Sequence, residues 1–259
     1  MSRVIFAPQF PTYLRYQDFW YTELKKKFEE NFTKVIVLGE KYIKDAKETI
    51  CDDKGMFSPI KQAINFELIQ IKEFYDLEIY DDDILFLSDI SFPGLFCNVL
   101  HHKRCKKMYC FVHGTSRNNM DYFEPCKKSK WLVETGQSKL FDKVFLATRY
   151  HQNKLKWENT EIIGVPIPPF KTFKEKKEYD IISVVRQNPQ KIDKKIEDRV
   201  ESNFSKIVRK DVIRWEEYYK FLSSGKVLLI TTKEETFGYS CMEAIMNNTI
   251  VIAPNNFSY

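Results

Sequence analysis

The segment Glu234-Glu235-Thr236-Phe237-Gly238-Tyr239-Ser240-Cys241-Met242-Glu243-Ala244 holds the strongest chemical signal in this chain of 259 residues. It follows an apolar run, Val227-Leu228-Leu229-Ile230, and places Gly238 where a strand would turn into a helix. A helix that starts just after a strand presents unpaired backbone N–H groups and the positive end of its dipole, which suits a phosphate. Glu235 would stand on the loop and Glu243 about two turns into the helix, both reaching toward one cleft edge. Spacing alone proves little, because Glu40 and Glu48 share it. The surroundings add weight: a strand before, Phe237-Gly238 between, and a turn and strand after, from Asn247 to Ala253.

Such a loop needs a sheet to hold it. Short runs rich in β-branched and aromatic residues recur at Val4-Ile5-Phe6, Val35 to Leu38, Ile84 to Leu87, Met108 to Val112 and Lys143 to Ala147. The polar stretches between them are long enough for helices, with Tyr16 to Phe32 and Ile60 to Tyr75 in amphipathic register. Alternation of this kind predicts an α/β fold with a parallel, doubly wound sheet. Three prolines in Gly164-Val165-Pro166-Ile167-Pro168-Pro169, then the lysine-rich stretch 171–177, read as an interdomain linker. The alternation restarts at Asp180 to Val185 and continues through Lys191 to Phe204, Trp215 to Leu222, Val227 to Ile230, Tyr239 to Met246 and Thr249 to Ala253. The expected division is residues 1–168 and 169–259, two α/β halves facing a cleft, with the second expected to be incomplete or cut after Tyr259.

Hydrophobic residues make up 43% of the chain and charged residues 30%, which excludes a disordered protein. No apolar run approaches the roughly 18 residues of a membrane span, and the N-terminus lacks the apolar core of a secretory signal. A cytoplasmic protein is expected, so the six cysteines read as reduced thiols. Cys97, His101, His102, Cys105, Cys110 and His113 lie close together, but none of the cysteines forms the Cys-x-x-Cys pair of structural zinc, and no metal site is expected. The net charge of +5 is compatible with anionic ligands and too mild to argue for nucleic acid. The aromatic series Phe10, Tyr13, Tyr16, Phe19, Trp20 reads as packing in the core and its loops.

The second half resembles the retaining nucleotide-sugar glycosyltransferases of the two-domain GT-B fold, the large family 4 group. Their pattern of Glu-Gly-Phe-Gly, a spacer, Glu-Ala, a turn and Pro-Val-Val-Ala is matched by Glu235-Thr236-Phe237-Gly238, Glu243-Ala244 and Ile250-Val251-Ile252-Ala253. Asp180-Ile181-Ile182-Ser183-Val184-Val185-Arg186, with Pro189 and then Lys191, resembles the strand and loop that carry the family's donor-phosphate Arg and Lys. Phe111-Val112-His113-Gly114 resembles the strand end that presents a histidine to the cleft. Phe145 to Tyr150 resembles a later strand and its Ser-or-Thr turn. The likeness is specific over 180–255 and architectural over 1–170; the family's first glycine pair is replaced by Gln9-Phe10-Pro11-Thr12, and the turn after Glu243 lacks its glycine.

The resemblance implies a glycosyltransferase that moves a sugar from a nucleotide-sugar, UDP- or GDP-linked, to an acceptor with retention and without a metal or other cofactor. Arg186 and Lys191 would neutralise the departing diphosphate, an effect that grows toward the transition state. Glu235 would contact the sugar and Glu243 the ribose. Phe237, Gly238 and Tyr239 would complete the donor site, and His113 would serve in catalysis. The acceptor stays open: a glycan, a lipid-linked sugar or DNA, the last as in phage DNA-modifying enzymes. A nucleotide-sugar 2-epimerase and a non-catalytic nucleotide-sugar or nucleic-acid binding relative remain the competing readings.

Overall fold

The computed structural model describes residues 3–11, 16–46, 60–90, 101–119, 127–167, 172–183, 191–210 and 215–259. The chain divides into two compact units. The first comprises Met1–Arg117, Cys126–Ala147 and Gln152–Gly164; the second comprises Asn118–Pro125, Thr148–His151 and Val165–Tyr259.

Among the described residues the first unit is built on six parallel strands: β1 (Arg3–Ala7), β2 (Lys34–Val37), β3 (Ile84–Leu87), β4 (Lys107–Val112), β5 (Lys143–Leu146) and β6 (Thr160–Ile162), in the order β2-β1-β3-β4-β5-β6. Side chains alternate between the two faces of a strand, and here both faces are apolar, as a sheet covered on both sides requires. Ile5, Leu85, Leu87, Met108, Cys110, Val112, Val144 and Leu146 enter one core together with Phe74, Leu155 and Trp157. Their neighbours point the other way. Phe6 meets Phe28 edge to face at 5.3 Å and Trp20 meets Phe111 at 4.5 Å, so helix α1 (Tyr16–Asn31) covers the second face with its Trp20, Tyr21 and Phe28 stripe. Helices α2 (Glu40–Ala46), α3 (Ile60–Asp76) and α4 (Lys127–Ser138) complete the layers, and α5 (Arg149–Leu155) follows β5.

The second unit repeats the winding on a smaller scale. Its strands β7 (Tyr179–Ser183), β8 (Ile207–Arg209), β9 (Gly225–Leu229) and β10 (Ile250–Ile252) are parallel, in the order β10-β9-β7-β8. Helices α6 (Lys194–Asn203), α7 (Trp215–Ser224) and α8 (Tyr239–Met246) connect them. Ile182, Leu228, Ile230, Tyr219, Phe221, Leu222 and Ala244 form its core. Gly225 is fixed by packing, because a Cβ there would sit 2.5 Å from the Ile182 side chain. Strand β10 is outermost among the described strands, and its Ile250 and Ile252 are exposed.

In both sheets the first strand of the unit lies between the second and third, so the winding reverses at β1/β3 and at β7/β9. Ligands of open α/β sheets bind outside the carboxyl ends of the strands at such a reversal. No described helix is long and apolar enough to cross a membrane.

Candidate functional site

At the β1/β3 reversal the protein fills the position with its own polar groups. The Gln9 amide donates to Asp89 Oδ2 at 2.7 Å, the Gln9 backbone N–H donates to Ser88 Oγ, and the Gln70 amide donates to the Pro8 carbonyl at 2.8 Å. Gln9, Gln70, Ser88 and Asp89 are all buried. Nearby, His113 follows β4 and packs against Trp20 at 4.4 Å and Phe111 at 4.8 Å.

The β7/β9 reversal is organised differently. Arg186 lies outside the described residues, which resume at Lys191. The Lys191 ammonium donates to Glu235 Oε2 at 2.8 Å and reaches the Glu234 carbonyl at 3.5 Å. The loop after β9 is laced to the segment after β7 by two further bonds. Thr232 Oγ1 donates to the Lys191 carbonyl at 3.4 Å, and the Asp193 N–H donates to Thr231 Oγ1 at 3.0 Å. The other oxygen of Glu235 accepts the N–H groups of Thr236 and Phe237 at 3.0 and 3.3 Å, so backbone and cation together fix this carboxylate. Phe237 and Tyr239 meet edge to face at 4.9 Å, and Tyr239 Oη donates to the Pro166 carbonyl at 3.2 Å.

Two helices begin beside these loops, and their ends differ. Asp193 caps α6, its carboxylate accepting from Lys195 and Ile196. Gly238 caps α8 at φ +89° and ψ 51° with no side-chain bond. A Cβ on Gly238 would lie 2.7 Å from the Tyr259 ring, so both dihedral and packing call for glycine. With glycine at its cap, α8 starts without an N-cap side-chain bond, an arrangement that suits an anion.

Glu243 has different company from Glu235. It is 4% exposed and accepts the Tyr218 hydroxyl at 2.7 Å. Burial lifts its carboxyl to about 7, while hydrogen bonds from Tyr218 and Tyr219 pull the other way. Its position is therefore neither solvent-facing nor paired with a cation among the described residues. Lys191, Glu235, Phe237, Gly238 and Tyr239 thus come together along the loop after β9, and Glu243 sits inside α8 against α7. His113 belongs to the other unit. Sequence reasoning passed over Glu234, Tyr150 and Tyr259; the Glu234-Glu235 doublet was the available signal. Among the described residues no group of three or more His, Cys, Asp or Glu is placed to hold a metal ion.

No protein-family profile and no curated protein sequence matches the chain. Solved structures do. Sucrose-phosphate synthase from Thermosynechococcus elongatus gives a TM-score of 0.63 at 11% identity, over 98% of this chain and 81% of that one. HepE from Anabaena, solved with UDP and glucose, gives 0.61 at 10% identity over 100% of this chain and 82% of that one. The fold is GT-B. TarM of S. aureus gives 0.55 at 18% identity over 74% of this chain, which spans only 45% of TarM. Identities this low establish architecture, and the architecture agrees with the resemblance read from residues 180–255.

Proposed function

We propose that this chain is a glycosyltransferase that takes a nucleotide-sugar in residues 169–259 and an acceptor, still to be identified, against residues 1–168. The observation that carries the reading is the Lys191–Glu235 pair, which joins Lys191, following β7, to the loop after β9 beside the winding reversal of a GT-B fold. Lys191, with Arg186 before it, neutralises the diphosphate as the sugar–phosphate bond breaks. Cations there stabilise the departing charge more than the bound ground state, which is what accelerates the step. Glu235 orients the sugar, Glu243 meets the ribose, the uncapped turn at Gly238 receives phosphate oxygens, and Phe237 and Tyr239 line the loop. His113 acts on the acceptor side. Retention follows if the leaving phosphate takes the acceptor's proton on the face from which it departs, a route that asks for no metal. HepE, of the same fold, was solved with UDP, so UDP-sugars are the first donors to test and GDP-sugars the second. A cytoplasmic setting fits such donors.

Thermal stabilisation by UDP, GDP, ADP and their glucose conjugates tests the reading. A ligand at about 100 times its Kd that binds only the folded state adds roughly 2.7 kcal/mol. One nucleotide series should shift the wild type and fail to shift Arg186→Ala and Lys191→Ala. A folded wild type that responds to none of them refutes the donor site.

A further inference from the structure

Glu234 and Glu235 are adjacent carboxylates that face opposite partners. Glu235 takes Lys191. Glu234 is 2% exposed, and its Oε1 accepts the Tyr150 hydroxyl at 2.8 Å while its Oε2 accepts the Asn119 N–H at 3.3 Å. All of these residues belong to the second unit. Thr148 adds a third tie, its Oγ1 donating to the Thr236 carbonyl at 2.9 Å. The loop that carries Glu235 is therefore held on one flank by Lys191. On the other it is held by side chains and backbone that lie 84, 115 and 88 positions away in sequence. A carboxylate buried to this degree is costly unless its oxygens are bonded, so each of these bonds bears on where the loop sits. Burial and the bond to Glu234 together raise the Tyr150 phenol above its usual value, so it stays a hydrogen-bond donor throughout the working pH range.

Glu234 has no part in the chemistry assigned above to Lys191 and Glu235. We propose that it is a positioning residue: through Tyr150 and Asn119 it fixes the loop that presents Glu235 to the sugar end of the donor. This rests on the donor-site reading and deepens it. Loss of the Tyr150 bond should then weaken a nucleotide-sugar more than the bare nucleotide, because Lys191 is retained while Glu235 loses its fixed position.

The test compares UDP, GDP and ADP with their glucose conjugates in calorimetric titrations of the wild type, Tyr150→Phe, Glu235→Gln and the double variant. Tyr150→Phe preserves ring volume and removes one hydroxyl. The expected result is a loss of about tenfold for the conjugate and under about twofold for the diphosphate. No further loss is expected from Tyr150→Phe in the Glu235→Gln background, since the two changes act through one group. Hydrogen exchange across 233–238, which needs no ligand, should quicken in Tyr150→Phe. Equal losses for conjugate and diphosphate, additive losses in the double variant, or unchanged exchange would overturn the positioning role and leave the donor site standing. A wild type that binds no nucleotide would overturn both, and that failure is recognised before any variant is made.

Discussion

The Lys191 ammonium and the Glu235 carboxylate lie 2.8 Å apart with about a quarter and a fifth of their side chains exposed. A pair so placed contributes little to stability, about 1 kcal/mol at most. Its value lies in holding a cation and an acceptor at one spot. Lys191→Met should therefore leave the melting temperature within a few degrees of wild type and lower nucleotide-diphosphate affinity by more than about tenfold. Titration by thermal shift reads both at once. An unchanged affinity would remove Lys191 from the phosphate site.

Glu243 ties stability to pH. Its carboxyl ionises near 4.5 in the unfolded chain and at about 7 in the fold, so the native state holds an extra proton between those values. Stability then falls as pH rises from about 4.5 to about 7 and is level above, a loss on the order of 3 kcal/mol from this group. Glu243→Gln keeps an acceptor for Tyr218 and should flatten that slope. Urea melts of the two proteins at about pH 5 and about pH 8 give the comparison. If the slopes agree, the group titrating in that range is elsewhere.

Gly238→Ala faces two penalties. The left-handed backbone costs alanine about 1–2 kcal/mol, and the new methyl meets the Tyr259 ring. We expect destabilisation of about 2 kcal/mol and a weakened response to diphosphate. Gly238→Ala combined with Tyr259→Ala should regain the packing part and keep the backbone part, as denaturant titration would reveal.

Arg209, at the end of β8, pairs with the buried carboxylate of Glu197, whose side chain is 3% exposed. Arg209→Leu removes the cation and strands the charge, with an expected cost of about 3 kcal/mol. Replacing both residues by leucine should recover most of that loss. A single variant as stable as wild type would mean that the Arg209–Glu197 pair adds nothing to stability.

Much of the architecture was legible because parallel strands buried on both faces leave a plain mark. Val4-Ile5-Phe6 and Ile84 to Leu87 are apolar throughout and became β1 and β3. The short strands β6 and β8 escaped notice, as Thr160–Ile162 and Ile207–Arg209 are too brief and polar to show a period. The helix after Lys191 begins later than its pattern suggested, at Lys194, since Asp193 bonds the first turn as its cap. Glu235 stood out from its local context and Lys191 from the family resemblance, and the structure brings the two side chains together. The surroundings of Glu243 were not readable, because Tyr218 reaches it from another helix, and neither was the tie from Tyr150 to Glu234, formed across 84 positions. Tyr13 lies outside the described residues, whereas Phe10 packs on Phe66 at 5.3 Å, as a core aromatic should.

Among the described residues strand β10 has a hydrogen-bonded neighbour on one side only, and Ile250 and Ile252 are 68% and 54% exposed, with Ile245 and Met246 of α8 also uncovered. Open backbone donors and acceptors beside exposed isoleucines form a template on which further strands can add. In concentrated solution such an edge is expected to promote association. Light scattering should climb steeply with concentration, and a lysine at position 252, Ile252→Lys, should flatten the climb without touching the Lys191–Glu235 pair.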